Sequence, residues 1–333
     1  MHRSPSILTN LAFQQSRIWQ EAVATICRPG ESPDRLGALR QGIRLLLRRR
    51  RFDVVVTMGP RPSLAYGLLC GLLRRPARHV MTEVFLDEAR PACPSWRLKT
   101  ALFRWVAQRA LGILTNSTAE VGLIAERFGI PAANLRFVPM YTTLPQPGRR
   151  EPNDGSVVSI GRTRRDLDVL VAAARRISAR VVVVAGRRET LPADLPPNVE
   201  VFREIPLAQT HELLAQAAVA VAPLLPAERS TGQVFIFEAI AMGKPVVATR
   251  SIGTVDYIRD GENGVLVEPG DAAALADAVE RLLRDPALAR RLATNALDEC
   301  LSSWLPDHHA QRMLTAIGEL WSASRAARNS PAP

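Results

Sequence analysis

The 333-residue chain is 47% hydrophobic and 23% charged, which excludes intrinsic disorder for most of its length and leaves room, by size, for two domains. No apolar run reaches the ~18 residues of a membrane span; the nearest, 63–73, is too short, and with no basic-then-apolar leader the expected compartment is the cytoplasm. The formal net charge of +11 is uneven, with 23 Lys+Arg against 9 Asp+Glu in residues 1–150 and 20 against 23 in residues 151–333. The first half is therefore expected to meet something anionic, and nucleic acid, an acidic membrane surface and a phosphorylated substrate all fit.

Residues 1–34 show no strand followed by a glycine-rich loop. The segment 35–51 has helical spacing, with Leu36, Leu39, Ile43, Leu46 and Leu47 on one side and Arg40, Arg44 and Arg48 on another; 95–109 is similarly basic and carries two tryptophans. Each fits a core-packed helix with a solvated basic face, the commoner arrangement, or a helix lying on anionic lipid. Strands are predicted at 52–58, 111–115, 135–138, 157–160, 181–185, 217–223, 245–249 and 265–267. Between them Leu167, Leu170, Val171 and Ala174 share one helical face, as do Leu275, Val279, Leu282 and Leu283. Strands apolar at every position are buried on both sides, so the pattern predicts an α/β protein with parallel sheets. A Pro-, Gly- and charge-rich break at 146–155 divides it into an N-terminal domain over 1–146 and a second over 147–305, with a C-terminal helix and frayed tail over 306–333. Ligands are expected beyond the carboxyl ends of the strands, in the cleft between two doubly wound domains.

Cys27, Cys70, Cys93 and Cys300 lie far apart without a CxxC pair, which argues against zinc or a disulfide framework. No GxGxxG, P-loop lysine motif, nucleophile elbow, HExxH or nucleic-acid-binding module is present. The richest stretch is 230–271, STGQVFIFEAIAMGKPVVATRSIGTVDYIRDGENGVLVEPGD. A loop follows an apolar strand there and a helix opens behind it, so the amides at Gly232, Gln233 and Val234 form an anion site at a helix start. Glu238, between Phe237 and Ala239, needs a partner. A sugar hydroxyl pair and an arginine such as Arg250 or Arg162 are equally compatible with the spacing.

FEAIAMGKPVVAT (237–249) followed by YIRDGENGVLVEPGD (257–271) resembles the donor-binding domain of glycosyltransferase family 4, of the GT-B fold. The similarity runs over about 157–321 and more weakly back to about 53. It implies two Rossmann-like domains, a UDP- or GDP-type sugar donor as co-substrate with no further cofactor and no metal, and transfer with retention to a small-molecule or lipid-linked acceptor. In this family two glutamates stand eight positions apart. The second matches Glu238 and holds the ribose; at the first position, which touches the donor sugar, this chain has Ser230, beside Thr231. The serine also leaves open a non-catalytic nucleotide-sugar binder or partner subunit. The family's glycine-arginine loop matches Gly161 and Arg162, with Arg165 for the usual lysine, and both arginines are expected on the diphosphate. Asp166-Leu167-Asp168 only superficially resembles a metal-binding DxD, because Asp166 fits a helix N-cap. Arg203 to Ile205 correspond to the nucleobase region, with a surface turn as the alternative. In the first domain Gly59 and Pro60, Thr82 and Glu83, and Asn116 follow strands and should face the cleft, Glu83 as a catalytic candidate; a helix cap at Ser117 or Thr118 is the plainer reading beside Asn116.

Overall fold

A computed structural model describes residues 4–26, 37–84, 92–148, 151–187 and 189–329. The chain forms two compact units, Met1–Pro139 with Pro306–Pro333, and Met140–Leu305. Each contains a six-stranded sheet whose pairings are all parallel, with helices in the connections. The predicted α/β class and parallel sheets are therefore present.

The first unit holds β1 (Ile7–Thr9), β2 (Val23–Thr25), β3 (Val54–Met58), β4 (His79–Thr82), β5 (Gly112–Thr115) and β6 (Leu135–Phe137), in the order β2-β1-β3-β4-β5-β6. The opening strand that the sequence did not reveal is β1. At three residues it is too short to show a period, yet it is fully buried and pairs Ile7 with Val54. An asparagine follows it instead of a glycine loop: Asn10 Oδ1 accepts the Met58 N–H at 2.8 Å and its amide donates to Gln41 at 2.6 Å. The helices are α1 (Arg17–Ala22), α2 (Ala38–Arg48), α3 (Pro60–Leu72), α4 (Pro94–Ala107) and α5 (Thr118–Phe128). Ser117 caps α5, its Oγ accepting the Glu120 N–H at 3.2 Å, and Gly129 ends it in the left-handed region.

Two expectations are corrected in this unit. The leucine side of 35–51 is not its core side: α2 buries Gln41, Gly42 and Leu45 and leaves Leu39, Ile43 and Leu47 exposed. The reason is close backbone packing, since a β-carbon on Gly42 would stand 3.1 Å from Ala65 C and Tyr66 N of α3; residues 35 and 36 lie outside the described residues. The division also falls at Pro139 and not at 146. α11 (Pro306–Asn329) belongs to this unit and stays helical past 322, with Leu320 and Trp321 buried and Arg136 paired to Glu319 at 2.9 Å. The tail 330–333 and Cys27 lie outside the described residues.

The second unit holds β7 (Val157–Gly161), β8 (Val181–Ala185), β9 (Val199–Arg203), β10 (Val219–Ala222), β11 (Val246–Thr249) and β12 (Val265–Val267), in the order β12-β11-β10-β7-β8-β9. Its helices are α6 (Leu167–Ala174), α7 (Leu207–Gln216), α8 (Gln233–Ala241), α9 (Ala272–Arg284) and α10 (Pro286–Ser303). Valines of β7, β8, β10 and β11 pack on Leu167, Leu170, Leu275, Val279 and Leu282, as the helical spacing predicted. The chain runs from β7 outward to β9, then returns to β10 on the other side of β7. The loops leaving β7 and β10 meet at that reversal, the Asp166 N–H donating to the Pro223 carbonyl and the Leu225 N–H to the Arg164 carbonyl, each at 3.0 Å, at the carboxyl ends of the strands, where parallel α/β sheets hold ligands.

Candidate active site

Two loops at this reversal build the candidate site of the second unit. After Gly161 the chain turns sharply: Arg164 sits in the left-handed region at φ 57° and its guanidinium donates to the Pro226 carbonyl at 2.7 Å. The turn drives Arg165 inward, where it bridges to Leu224, and Asp166 then caps α6 by accepting the Val169 N–H at 3.0 Å. Arg165 is 8% exposed. Its Nε and one terminal nitrogen donate to the Ile160 carbonyl at 3.1 and 2.7 Å, and the guanidinium carbon lies 5.7 Å from the Phe235 ring centroid. Burial pulls its pKa down to about 10, opposed by the charge of Glu189. No ion pair to Arg165 occurs among the described residues. A buried cation without a carboxylate contact is costly unless an anion joins it.

The second loop ends at Gly232, whose φ of 81° is left-handed and disfavours any side chain. α8 begins at Gln233, and the first intrahelical bond is Ile236 N–H to the Gly232 carbonyl at 3.1 Å. The amides of residues 233–235 thus precede the helical ladder. A β-carbon on Gly161 would collide with the Arg165 guanidinium, and one on Gly232 would stand 3.5 Å from its Nη1. Gly161, Arg165 and Gly232 are therefore together, at a helix start that already carries partial positive charge. Arg162 is exposed, beside Gly186, with no hydrogen bond or ion pair among the described residues. Ser230 and Thr231 are buried, pressed beneath Gly253, where a β-carbon would meet Thr231 N at 2.8 Å.

Glu238 lies one and a half turns into α8 with its side chain 12% exposed. Thr143 donates to its Oε1 at 2.8 Å and His211 Nε2 stands 3.5 Å from the same oxygen, while Oε2 has no partner among the described residues. The arginine alternatives are not realised, because Arg250 pairs with Glu268 at 2.8 Å and Arg162 is unpaired. Neither Thr143 nor His211 was singled out from sequence. Thr143 lies near the start of the second unit, outside any regular element; the rarity of histidine, five in the chain, was the available signal for His211. Arg203 donates to the Gly186 and Glu189 carbonyls at 2.8 and 3.0 Å, fixing the loop after β8. Glu204, at φ 52°, likewise accepts the Arg187 N–H at 2.9 Å. That leaves the backbone of 203–205 and the half-buried Ile205 as the surface there.

In the first unit Gly59, at φ 86°, leads into Pro60 at the first position of α3, and its N–H donates to the Thr82 carbonyl at 3.0 Å. The loop after β3 is thereby tied to the end of β4. Below it His79 is fully buried, its Nε2 2.6 Å from Thr57 Oγ1, and burial pulls its pKa down to about 3, so it stays neutral. Glu83 follows β4 in the left-handed region at φ 52°. Burial pushes its carboxyl above the ordinary value, and it has no hydrogen bond among the described residues. Strained backbone at a strand end with a desolvated acid is the pattern of a working group. Asn116 is buried, its N–H bonded to Glu120 Oε2 at 3.0 Å as part of the α5 cap. No cluster of three or more metal-ligating side chains occurs among the described residues, and none of the helices searched is long and apolar enough to cross a membrane.

Two family models match the chain, "Glycosyl transferase 4-like domain" over residues 10–140 and "Glycosyl transferases group 1" over 154–285. Similar proteins include a lipopolysaccharide core biosynthesis glycosyltransferase of Rhizobium meliloti, 46% identical over 77 residues, 23% of this chain and 22% of that one. A D-inositol 3-phosphate glycosyltransferase of Acidothermus cellulolyticus is 30% identical over 217 residues, 56% of this chain and 48% of that one. The alignments thus span about half or less of those relatives. Among solved structures, Anabaena HepE in complex with UDP aligns with TM-score 0.69 at 16% identity over 94% of this chain and 99% of that one. Sucrose-phosphate synthase of Thermosynechococcus elongatus aligns with TM-score 0.66 at 23% identity, covering 86% and 77%. These two likenesses show the two-domain GT-B architecture.

Proposed function

The chain belongs to the GT-B glycosyltransferases of the family 4 type, and from that premise we propose that it is a metal-independent retaining enzyme transferring a sugar from a UDP- or GDP-type donor to a small-molecule or lipid-linked acceptor. The carrying observation is the buried Arg165 guanidinium, without an ion pair among the described residues, set against two glycines and the start of α8. As the bond from sugar to phosphate breaks, negative charge grows on the diphosphate. Arg165, Arg162 and the amides of residues 232–234 stabilise it, and charge held in a buried site is stabilised more strongly than in water. The departing phosphate oxygen takes the acceptor's proton, so no strong base is required. Glu238 holds the ribose: Oε2 is open for a hydroxyl, and Thr143 and His211 fix the carboxylate from the other side. The backbone of 203–205 reads the base, and Glu83 is assigned to the sugar side.

A thermal-shift screen with UDP, GDP, ADP, TDP and their sugars tests the donor site. One diphosphate should raise the melting temperature, the rise following its affinity. The same nucleotide with a chelator present, and the anomeric configuration of the product by NMR, test the rest; dependence on a divalent ion or an inverted product would refute the mechanism. Ser230 supports a second reading, a nucleotide-sugar binder without turnover. Binding without donor hydrolysis or transfer on any acceptor of a panel would favour it. An anionic membrane face belongs to this proposal as a partner, on the strength of the exposed leucines of α2 beside Arg40, Arg44 and Arg48.

A further inference from the structure

A cavity of about 600 Å³ opens in the first unit at the amino ends of β3 and β4, under the end of α2 and the end of α3. That is the edge of the sheet opposite the loops bearing Gly59, Glu83 and Asn116, so it is not part of the reaction site proposed above. Four arginines line it, Arg49, Arg50, Arg75 and Arg78, and no acidic side chain does among the described residues. Arg49 is held by the Pro76 carbonyl and Arg78 donates to the Phe52 carbonyl at 3.5 Å. The guanidinium groups of Arg50 and Arg75 have no hydrogen bond or ion pair among the described residues. Arg74 ends α3 in the left-handed region at φ 50°, with the Arg75 N–H bonded to the Cys70 carbonyl at 2.8 Å, so Arg75 leaves the helix end at a fixed place.

The rest of the lining is aliphatic and aromatic, and its rim is greasy. Leu47 is 74% exposed and Leu73 57%, with Leu72 beside it at 80%. From Leu47 the exposed residues continue along α2 through Ile43 to Leu39, one turn apart. A free phosphate would have no use for that ridge, and a nucleic acid would call for stacking aromatics where the exposed side chains are leucines. Cationic side chains around a pocket that runs into exposed aliphatic surface match one chemistry, an anionic head group joined to hydrocarbon.

We propose that this pocket binds the phosphate head group of an anionic lipid, with its chains against Leu47, Leu73 and the α2 ridge. The site is independent of the transfer reaction, and it gives the membrane reading above a defined point of attachment. The test is co-sedimentation of the full chain with vesicles of phosphatidylcholine alone or mixed with phosphatidylglycerol, beside binding of a short-chain, monomeric phosphatidylglycerol followed by thermal shift. Arg50→Gln with Arg75→Gln should weaken both by about thirtyfold, given what two arginines contribute at a charged surface. Arg97→Gln with Lys99→Gln on α4, which removes the same charge elsewhere in the unit, should change little. Leu47→Ser with Leu73→Ser should weaken lipid binding while leaving inorganic pyrophosphate unaffected.

Equal losses in both charge pairs would overturn the pocket and leave only a diffuse attraction. Vesicle binding untouched by Arg50→Gln with Arg75→Gln would overturn the pocket while membrane association stood. Monomeric lipid binding without vesicle binding would support the pocket and remove the membrane as its source. Pyrophosphate bound as strongly as the lipid and lost in Arg50→Gln with Arg75→Gln, in contrast to pyrophosphate held at Arg165, or an oligonucleotide binding through the same arginines where lipids do not, would refute the lipid assignment.

Discussion

The carboxyl-edge loops of the two units solve different problems. In the second, one short turn and one helix start converge at the reversal between β7 and β10, and they concentrate positive charge: Arg165 is buried against Gly161 and Gly232 with no counter-ion in contact among the described residues. In the first, the loop after β3 is tied to the end of β4 through Gly59 N–H and the Thr82 carbonyl, and Glu83 is strained and raised by burial, while inside the sheet Thr57 bonds Ser63 and the neutral His79. The four arginines lining the first unit's cavity lie at the other end of its sheet. Net charge in a sequence counts cations and does not locate them. An excess of arginine in the first half therefore said nothing about which edge of the fold would use it.

The sharpest way to break this contrast is at Arg165. Arg165→Met should abolish the nucleotide-induced rise in melting temperature and lower turnover by about 10²–10³-fold, the scale of a lost transition-state donor. Arg165→Lys should retain a substantial part of both, because charge persists without the fork. Turnover unchanged in Arg165→Met would make the buried cation a packing element. Acid should then separate the units. His79 and His309 both lie in the first, and burial holds them at about 3 and about 4, below their ordinary 6.5. The unfolded chain therefore takes up protons first. Stability is intact above pH 6.5 and falls as pH drops toward those values, by about 1.4 kcal/mol per histidine for each pH unit. Amide exchange at pH 7 and 5 should show the first unit loosening, and His309→Gln should reduce the slope.

Glu238→Gln should weaken nucleotide binding by about 1.5–3 kcal/mol, the range for hydrogen bonds to a charged group, with little change in melting temperature of the free protein. Calorimetric titration of the nucleotide measures it, and unchanged affinity removes the ribose role. The smallest effect expected is at Glu83. Its carboxyl is raised by burial, so ionisation is disfavoured in the fold. Glu83→Gln should raise the melting temperature at neutral pH, and the difference should vanish as pH falls below the ordinary 4.5, where both forms are uncharged. A melting temperature lowered at neutral pH would mean the carboxylate has an anchoring role instead.

Much of the second unit was legible because its chemistry is local. Gly161-Arg162, the glycine before α8 and the Asp166 cap each act through backbone geometry within a few residues, and contiguous spacing records that. The contacts of Glu238 were not legible: Thr143 and His211 lie 95 and 27 positions away in sequence, and a carboxylate's neighbours across such distances depend on strand order. The bonds from Arg203 to carbonyls of the loop after β8 were not legible for the same reason. In α2 the visible leucine period suggested a core face, but Gly42 against Ala65 and Tyr66 set the rotation of the helix.

The amino-acid order by itself determined the alternation of strands and helices, the burial of strands on both faces, and the turn and helix start around Arg165, since all of these follow from short-range spacing and backbone preference. Tertiary structure alone decided which strands are neighbours, that three residues at Ile7–Thr9 complete a sheet, that α11 returns to the first unit, and which face of α2 meets solvent. Those outcomes depend on packing between segments far apart in the chain, where the closest fit of backbones outweighs the local pattern.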